Sequence, residues 1–156
     1  DYIIEKASEK EMQIILNPSP YNNKLDKCDL NKISLFLVNE IEGEQITGEK
    51  EPDEILKKFS QMYPDASVVL TLGGDGAVYQ DKKGIYRQGI FPVKAVDTTA
   101  AGDTFTGYFL ASVLEKMSPE ECLRMAAKAS SIAVSRLGAA ASVPMRNEVM
   151  EALERE

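Results

Sequence analysis

Apolar positions along the chain alternate between two rhythms. Residues 13–16 (Gln-Ile-Ile-Leu), 33–38 and 67–72 form short runs rich in Ile, Val and Leu, each bounded by polar or turn-forming residues, and runs of that length predict buried strands. Residues 17–20 (Asn-Pro-Ser-Pro) end the first run, because two prolines permit neither a helix nor a central strand to continue. Helical spacing takes over elsewhere. A helix is expected from 52 to about 60, with Pro52 in its first turn, and another through Phe105, Phe109, Leu110, Val113 and Leu114. Ser118-Pro119-Glu120-Glu121 caps a further helix in which Ala126, Ala127, Ala129, Ile132 and Ala133 permit close packing. Pro144 is expected to start a last, highly charged helix, and residues 1–6 read as an amphipathic one.

Turn chemistry supplies the rest of the pattern. Gly73-Gly74-Asp75-Gly76 opens an alternating stretch over 77–80, and Asp81-Lys82-Lys83-Gly84 returns it through 85–87, which predicts a hairpin. One more short strand is expected through Val93 and Val96. Strand and helix units followed by a hairpin and a helical C-terminus indicate an α/β fold, and no internal repeat is present. We read residues 1–156 as a single domain.

Composition narrows the function. The 156 residues carry 18 Lys+Arg against 25 Asp+Glu, a net charge of −7 with no basic cluster, which argues against a nucleic-acid partner. There is no histidine, so a Ser-His-Asp triad, a Cys-His pair and a His-ligated zinc site are excluded. Cys28 and Cys122 are far apart and form no CxxC, so a reduced cytoplasmic protein is the simplest expectation. No apolar run is long enough to span a bilayer. The start at Asp1, inside an expected helix, suggests that upstream sequence is missing.

The segment 96–105, Val-Asp-Thr-Thr-Ala-Ala-Gly-Asp-Thr-Phe, carries the most chemistry. Its small side chains allow backbone N–H groups to converge at a helix start, where the dipole favours an anion. Asp103 sits at the mouth of that cradle and could take a proton from a hydroxyl attacking a bound phosphoryl group. The plainer alternative stays open at this point, since Asp is favoured in any first helical turn and Asp97 could simply cap. Thr71-Leu72-Gly73-Gly74-Asp75-Gly76 lets backbone approach a nucleotide, or is only a turn. Asn39 and Glu42, three apart after a strand, could hold Mg²⁺ through its waters, or cap a helix.

Taken together, these segments resemble the ribokinase (PfkB-type) family of sugar kinases. The run Asp97-Thr98-Thr99-Ala100-Ala101-Gly102-Asp103 is similar to the family's C-terminal signature, and the order Asn39-x-x-Glu42, Thr71-x-Gly73-x-x-Gly76, signature, then residues 132–139 matches as well. The resemblance implies a three-layer α/β/α fold, of which this chain would be the C-terminal, nucleotide-binding part: a mostly parallel sheet with flanking helices and an antiparallel hairpin edge. It implies an ATP-dependent sugar kinase, most like a ribokinase, with fructose and nucleosides as other acceptors. Asp103 would be the catalytic base; Ala100, Ala101 and Gly102 the anion hole. Asn39 and Glu42 would serve Mg²⁺ and phosphate; Thr71, Gly73 and Gly76 the nucleotide; Ala127 and Lys128 the adenine. A K⁺ site would map to Asp97, Thr99, Ala133, Arg136, Gly138 and Ser142. The sequence departs from the family at Tyr108, where a small residue is usual, and in having no counterpart of the family's N-terminal half, which carries most sugar contacts and a β-sheet lid often used for homodimers. An isolated nucleotide-binding fragment without catalysis is the alternative expectation.

Overall fold

The computed structural model describes residues 2–156, so Asp1, with which the expected first helix begins, lies outside the described residues. The chain forms two compact units, one of residues up to Gly73 with Val78–Ile85, the other of Gly74–Ala77 with Tyr86–Glu156.

The first unit contains α1 (Tyr2–Glu9), β1 (Ile15–Leu16), β2 (Leu35–Asn39), α2 (Glu40–Thr47), α3 (Pro52–Met62), β3 (Ser67–Thr71) and most of β4 (Ala77–Gln80). β1 pairs parallel to β2 and β2 parallel to β3, the latter in register from Leu35↔Ser67 to Asn39↔Thr71. The sheet order is β1-β2-β3-β4-β5, with β5 at Ile85–Gln88. The connections β3–β4 and β4–β5 are too short for a crossover, so those pairs are antiparallel and the sheet is mixed. Asp81 makes the hairpin turn: its carboxylate accepts from the Lys83 and Gly84 amides at 2.8 and 3.0 Å, and its own amide donates to the Gly84 carbonyl.

The first core follows from the strand pattern. Leu35 to Val38 are all buried, as expected of a parallel strand covered on both faces, and so are Val68, Val69 and Leu70. Phe36 and Val38 pack with Ile55, Leu56 and Phe59 of α3, and the Phe36 ring lies 5.2 Å from Phe59 and 4.9 Å from Tyr63. Gly43 lets α2 approach this layer, since a Cβ there would meet Ile55 at 3.0 Å.

The second unit holds α4 (Ala101–Leu114), α5 (Pro119–Val134) and α6 (Arg146–Glu154). Ala126, Ala129 and Ala133 of α5 are fully buried, which permits the close packing of α4 on α5 that the sequence led us to expect. Met125, Ala129 and Val149 form the centre of its core, with Tyr108, Met117, Ile132 and Leu153 around them. Ser118 and Glu121 form a reciprocal cap at the start of α5.

Three expectations need correction. Residues 13–16 yield only the two-residue β1, with Ile15 43% exposed, so this is an edge strand rather than a buried one. No strand forms through Val93 and Val96; Pro92 removes a ladder donor, and the Val96 and Asp97 amides bond instead to the Val134 carbonyl at the end of α5. The last helix begins at Arg146, because the Pro144 carbonyl is engaged elsewhere.

Phe36→Ala removes the side chain shared by α3 and the central strand. It should lower unfolding stability by about 3–5 kcal/mol in urea titrations followed by circular dichroism, and a loss near zero would contradict this view of the core.

Candidate functional site

In the first unit, the carboxyl ends of the parallel strands β2 and β3 finish together. Asn39 and Thr71 are register partners, and the Thr71 hydroxyl donates to the Val38 carbonyl at 3.4 Å. In open α/β sheets such strand ends are where ligands bind. Asn39 is the N-cap of α2: its side-chain oxygen accepts from the Glu42 amide at 2.9 Å, while Glu42 Oε2 accepts from the Asn39 amide at 3.1 Å. Asn39 and Glu42 therefore form a capping box, with Glu42 buried. Gly73 follows Thr71 at φ +52° in a 3₁₀ turn with open space around it.

In the second unit, the entry to α4 is built by polar clasps. Asp97 accepts from the Thr99 amide at 2.9 Å through one carboxylate oxygen and from the Gly138 amide at 3.0 Å through the other. Hydrogen bonding from the Thr99 side chain first, then from the Thr99 and Gly138 amides, holds the Asp97 carboxyl below the usual carboxylate range. Ala100 then turns the chain at φ +61°, a left-handed conformation that a side chain resists. The Ala101 amide donates to the Thr98 carbonyl at 3.2 Å, and the Thr104 amide to the Ala100 carbonyl at 2.9 Å. Gly102 and Asp103 are exposed, and as first-turn residues their amides have no intrahelical acceptor. Gly76 is more tightly constrained: at φ +96°, a Cβ would lie 2.1 Å from the Gln88 carbonyl oxygen.

The remaining expected residues are each accounted for. Ala127 is buried on α5, and the Lys128 ammonium lies 4.6 Å over the Phe91 ring and pairs with Glu156. The Ala133 carbonyl accepts from the Arg136 amide at 3.0 Å, and the Arg136 guanidinium reaches Glu148 at 2.7 Å. Ser142 is fully buried, its hydroxyl donating to the Ala139 carbonyl at 2.7 Å. Sequence reasoning missed Ser130, whose hydroxyl donates to the Ala101 carbonyl at 3.1 Å and seats the first residue of α4; a serine within an alanine-rich packing face was the available signal. It also missed Thr104, buried with an unpartnered hydroxyl immediately after Asp103. Two cavities in the first unit, of about 60 and 240 Å³, are lined by none of the expected site residues. Among the described residues no group of three or more Cys, Asp or Glu gathers for a metal, and no helix is long and apolar enough to cross a membrane.

A sequence profile of the pfkB family of carbohydrate kinases matches residues 2–146. The chain belongs to the pfkB family. It is 38% identical over 154 residues to the ribokinase of Haemophilus influenzae, covering 95% of this chain and 49% of that protein. The ribokinase of Lactococcus lactis is 30% identical over 97% of this chain and 49% of its own length. Among solved structures, Thermotoga maritima ribokinase superposes with a TM-score of 0.85 at 32% identity, covering 97% of this chain and 52% of that one. Arabidopsis thaliana ribokinase complexed with ribose and ATP gives 0.82 at 31%, covering 97% and 51%. This pfkB-family chain thus spans about half the length of the relatives it matches, and its α/β fold is theirs.

Two outcomes follow for the pfkB-family chain. Gly76→Ala forces a strained φ and an overlap with backbone, and should cost about 2–4 kcal/mol in denaturant unfolding; a neutral substitution would show that the turn relaxes freely. Asp97 has a lowered pKa when folded, so its contribution is full above the ordinary value of 3.8 and is lost as pH falls through the folded value. The gap in unfolding midpoint between wild type and Asp97→Asn should therefore be largest near neutral pH and narrow below 3.8, and a gap independent of pH would contradict the clasp.

Proposed function

We propose that this chain binds ATP and serves the transfer of its γ-phosphoryl group to a sugar hydroxyl, ribose first among sugars, with Asp103 as catalytic base. The observation that carries the reading is the exposed first turn of α4, where free amides and the Asp103 carboxylate lie side by side at the positive end of a 14-residue helix. Membership of a carbohydrate-kinase family and the similarity to ribokinases support the same chemistry.

Phosphoryl transfer asks mainly for position and charge, because its transition state is loose. Asp103 orients the attacking hydroxyl and collects its proton at the carboxylate. Ala100 and Ala101 shape the anion hole; since the Ala101 amide already donates to Thr98, its remaining donors are those of Ala100, Gly102 and Asp103. Asn39 and Glu42 would hold Mg²⁺ through its waters, for which the capping box leaves Glu42 Oε1. Magnesium, when bound, neutralises charge on the phosphate oxygens. Thr71, Gly73 and Gly76 contact the nucleotide, and buried Ala127 offers a flat surface to adenine beside the stem of Lys128.

The donors mapped to a K⁺ site are all oxygens, as a hard monovalent cation requires. Asp97 commits both carboxylate oxygens to amides, so its ligand would be its carbonyl, joined by those of Thr99, Ala133, Arg136 and Gly138 and by the Ser142 hydroxyl. A bound K⁺ would fix the backbone around the anion hole.

One observation favours a second reading, nucleotide binding without transfer: the chain covers about half of its relatives, and an exposed base excludes no water by itself. Calorimetric titration with Mg-ATP and a ribose-dependent ADP-release assay separate the two. Asp103→Asn should retain ATP affinity within about two-fold and lose ADP release by about 10³-fold; full turnover in that variant would overturn the role of Asp103. ATP binding by wild type with no ADP release supports the second reading, and no ATP binding removes both.

A further inference from the structure

Tyr108 stands on α4 where the family signature usually has a small side chain, and its hydroxyl is engaged. It donates to the Pro144 carbonyl at 2.7 Å from a half-buried ring packed beside Met125, Ala129 and Val149. Burial, foremost, keeps the phenol above its ordinary value, so the group stays a donor. Pro144 closes a segment whose other end, Gly138, is tied to the Asp97 carboxylate at 3.0 Å. Between the two ties, Ser142 folds back on the Ala139 carbonyl through both its hydroxyl and its amide, at 2.7 and 3.1 Å. Gly138 and Ser142, two of the residues assigned above to a monovalent cation, therefore lie on backbone strung between Asp97 and Tyr108.

We propose that Tyr108 is a positioning residue that holds the 138–144 segment against the helix bearing Asp103 and thereby sets how strongly that segment binds a monovalent cation. The proposal rests on the K⁺ reading above. Carbonyl and hydroxyl ligands bind an alkali cation only when their spacing is fixed in advance, and ordering a loose segment would be charged against binding. Loss of one neutral hydrogen bond at one end bounds the effect at roughly five-fold in affinity.

The test uses the 156-residue chain and Tyr108→Phe, which keeps the ring and removes only the hydroxyl. Thermal unfolding is followed across a KCl series at constant ionic strength, with choline chloride as the balancing salt and NaCl as a parallel series. Wild type should be stabilised saturably by KCl, and the variant should reach half-saturation at a roughly five-fold higher concentration. A variant with a lower salt-free melting temperature but an unchanged half-saturation point makes Tyr108 merely structural and overturns the proposal. A wild type indifferent to KCl, beyond its response to choline, overturns the K⁺ reading itself and the role of Tyr108 with it.

Discussion

One carboxylate holds together the parts of the second unit on which the proposed chemistry depends. Asp97 accepts an amide from the loop that enters α4 and another from the loop that leaves α5, so segments forty residues apart share one anchor. The anchor matters because the next turn is strained. Ala100 occupies the left-handed region, which costs an alanine about 1–2 kcal/mol. Such a conformation persists only where its surroundings over-determine it. Here the Asp97–Thr99 bond fixes the chain before the turn, the Thr104 amide closes it behind, and Ser130 seats Ala101 from α5. The outcome of the strain is that Gly102 and Asp103 begin the helix exposed, with their amides unspent.

The first unit reaches a comparable arrangement through strand register. Because Asn39 pairs with Thr71, the cap of α2 and the turn at Gly73 leave the sheet at the same level. Asn39 and Glu42 have a structural role that is compatible with the metal role proposed for them. The capping box consumes one oxygen of each side chain and in return fixes both rotamers, which is what a group that must hold a metal's water needs.

Much of this was legible in the sequence, for identifiable reasons. Val68, Val69 and Leu70 announced a central strand because continuous burial leaves a continuous apolar run, and Ser118 with Glu121 announced a cap because the chemistry is local. Residues 93–96 misled because a short segment with valines looks the same whether its amides face a strand or, as with Val96 here, the end of a helix. The Tyr108–Pro144 and Asp97–Gly138 bonds span 36 and 41 residues, and no local pattern encodes which distant carbonyl or amide a side chain will meet. For the site, the resemblance gave residue identities while the structure gave partners, and it was the partners that reassigned the Ala101 amide to the turn.

The exposure of Asp103 bears on how the proposed chemistry divides. Amides at a helix start bind phosphate whether or not water is nearby, since the donors and the dipole are already in place. Proton collection during transfer is more demanding: the base must meet one hydroxyl in one geometry, with competing water removed. Nothing in the first turn of α4 supplies that exclusion, since both Gly102 and Asp103 stand in solvent. Binding and transfer therefore have different requirements: exposed first-turn amides suit the first, and the second also needs groups that cover the turn. That asymmetry ranks the two proposed readings: exposed first-turn amides suit anion recognition by themselves, and the proposed catalysis asks for groups beyond this turn.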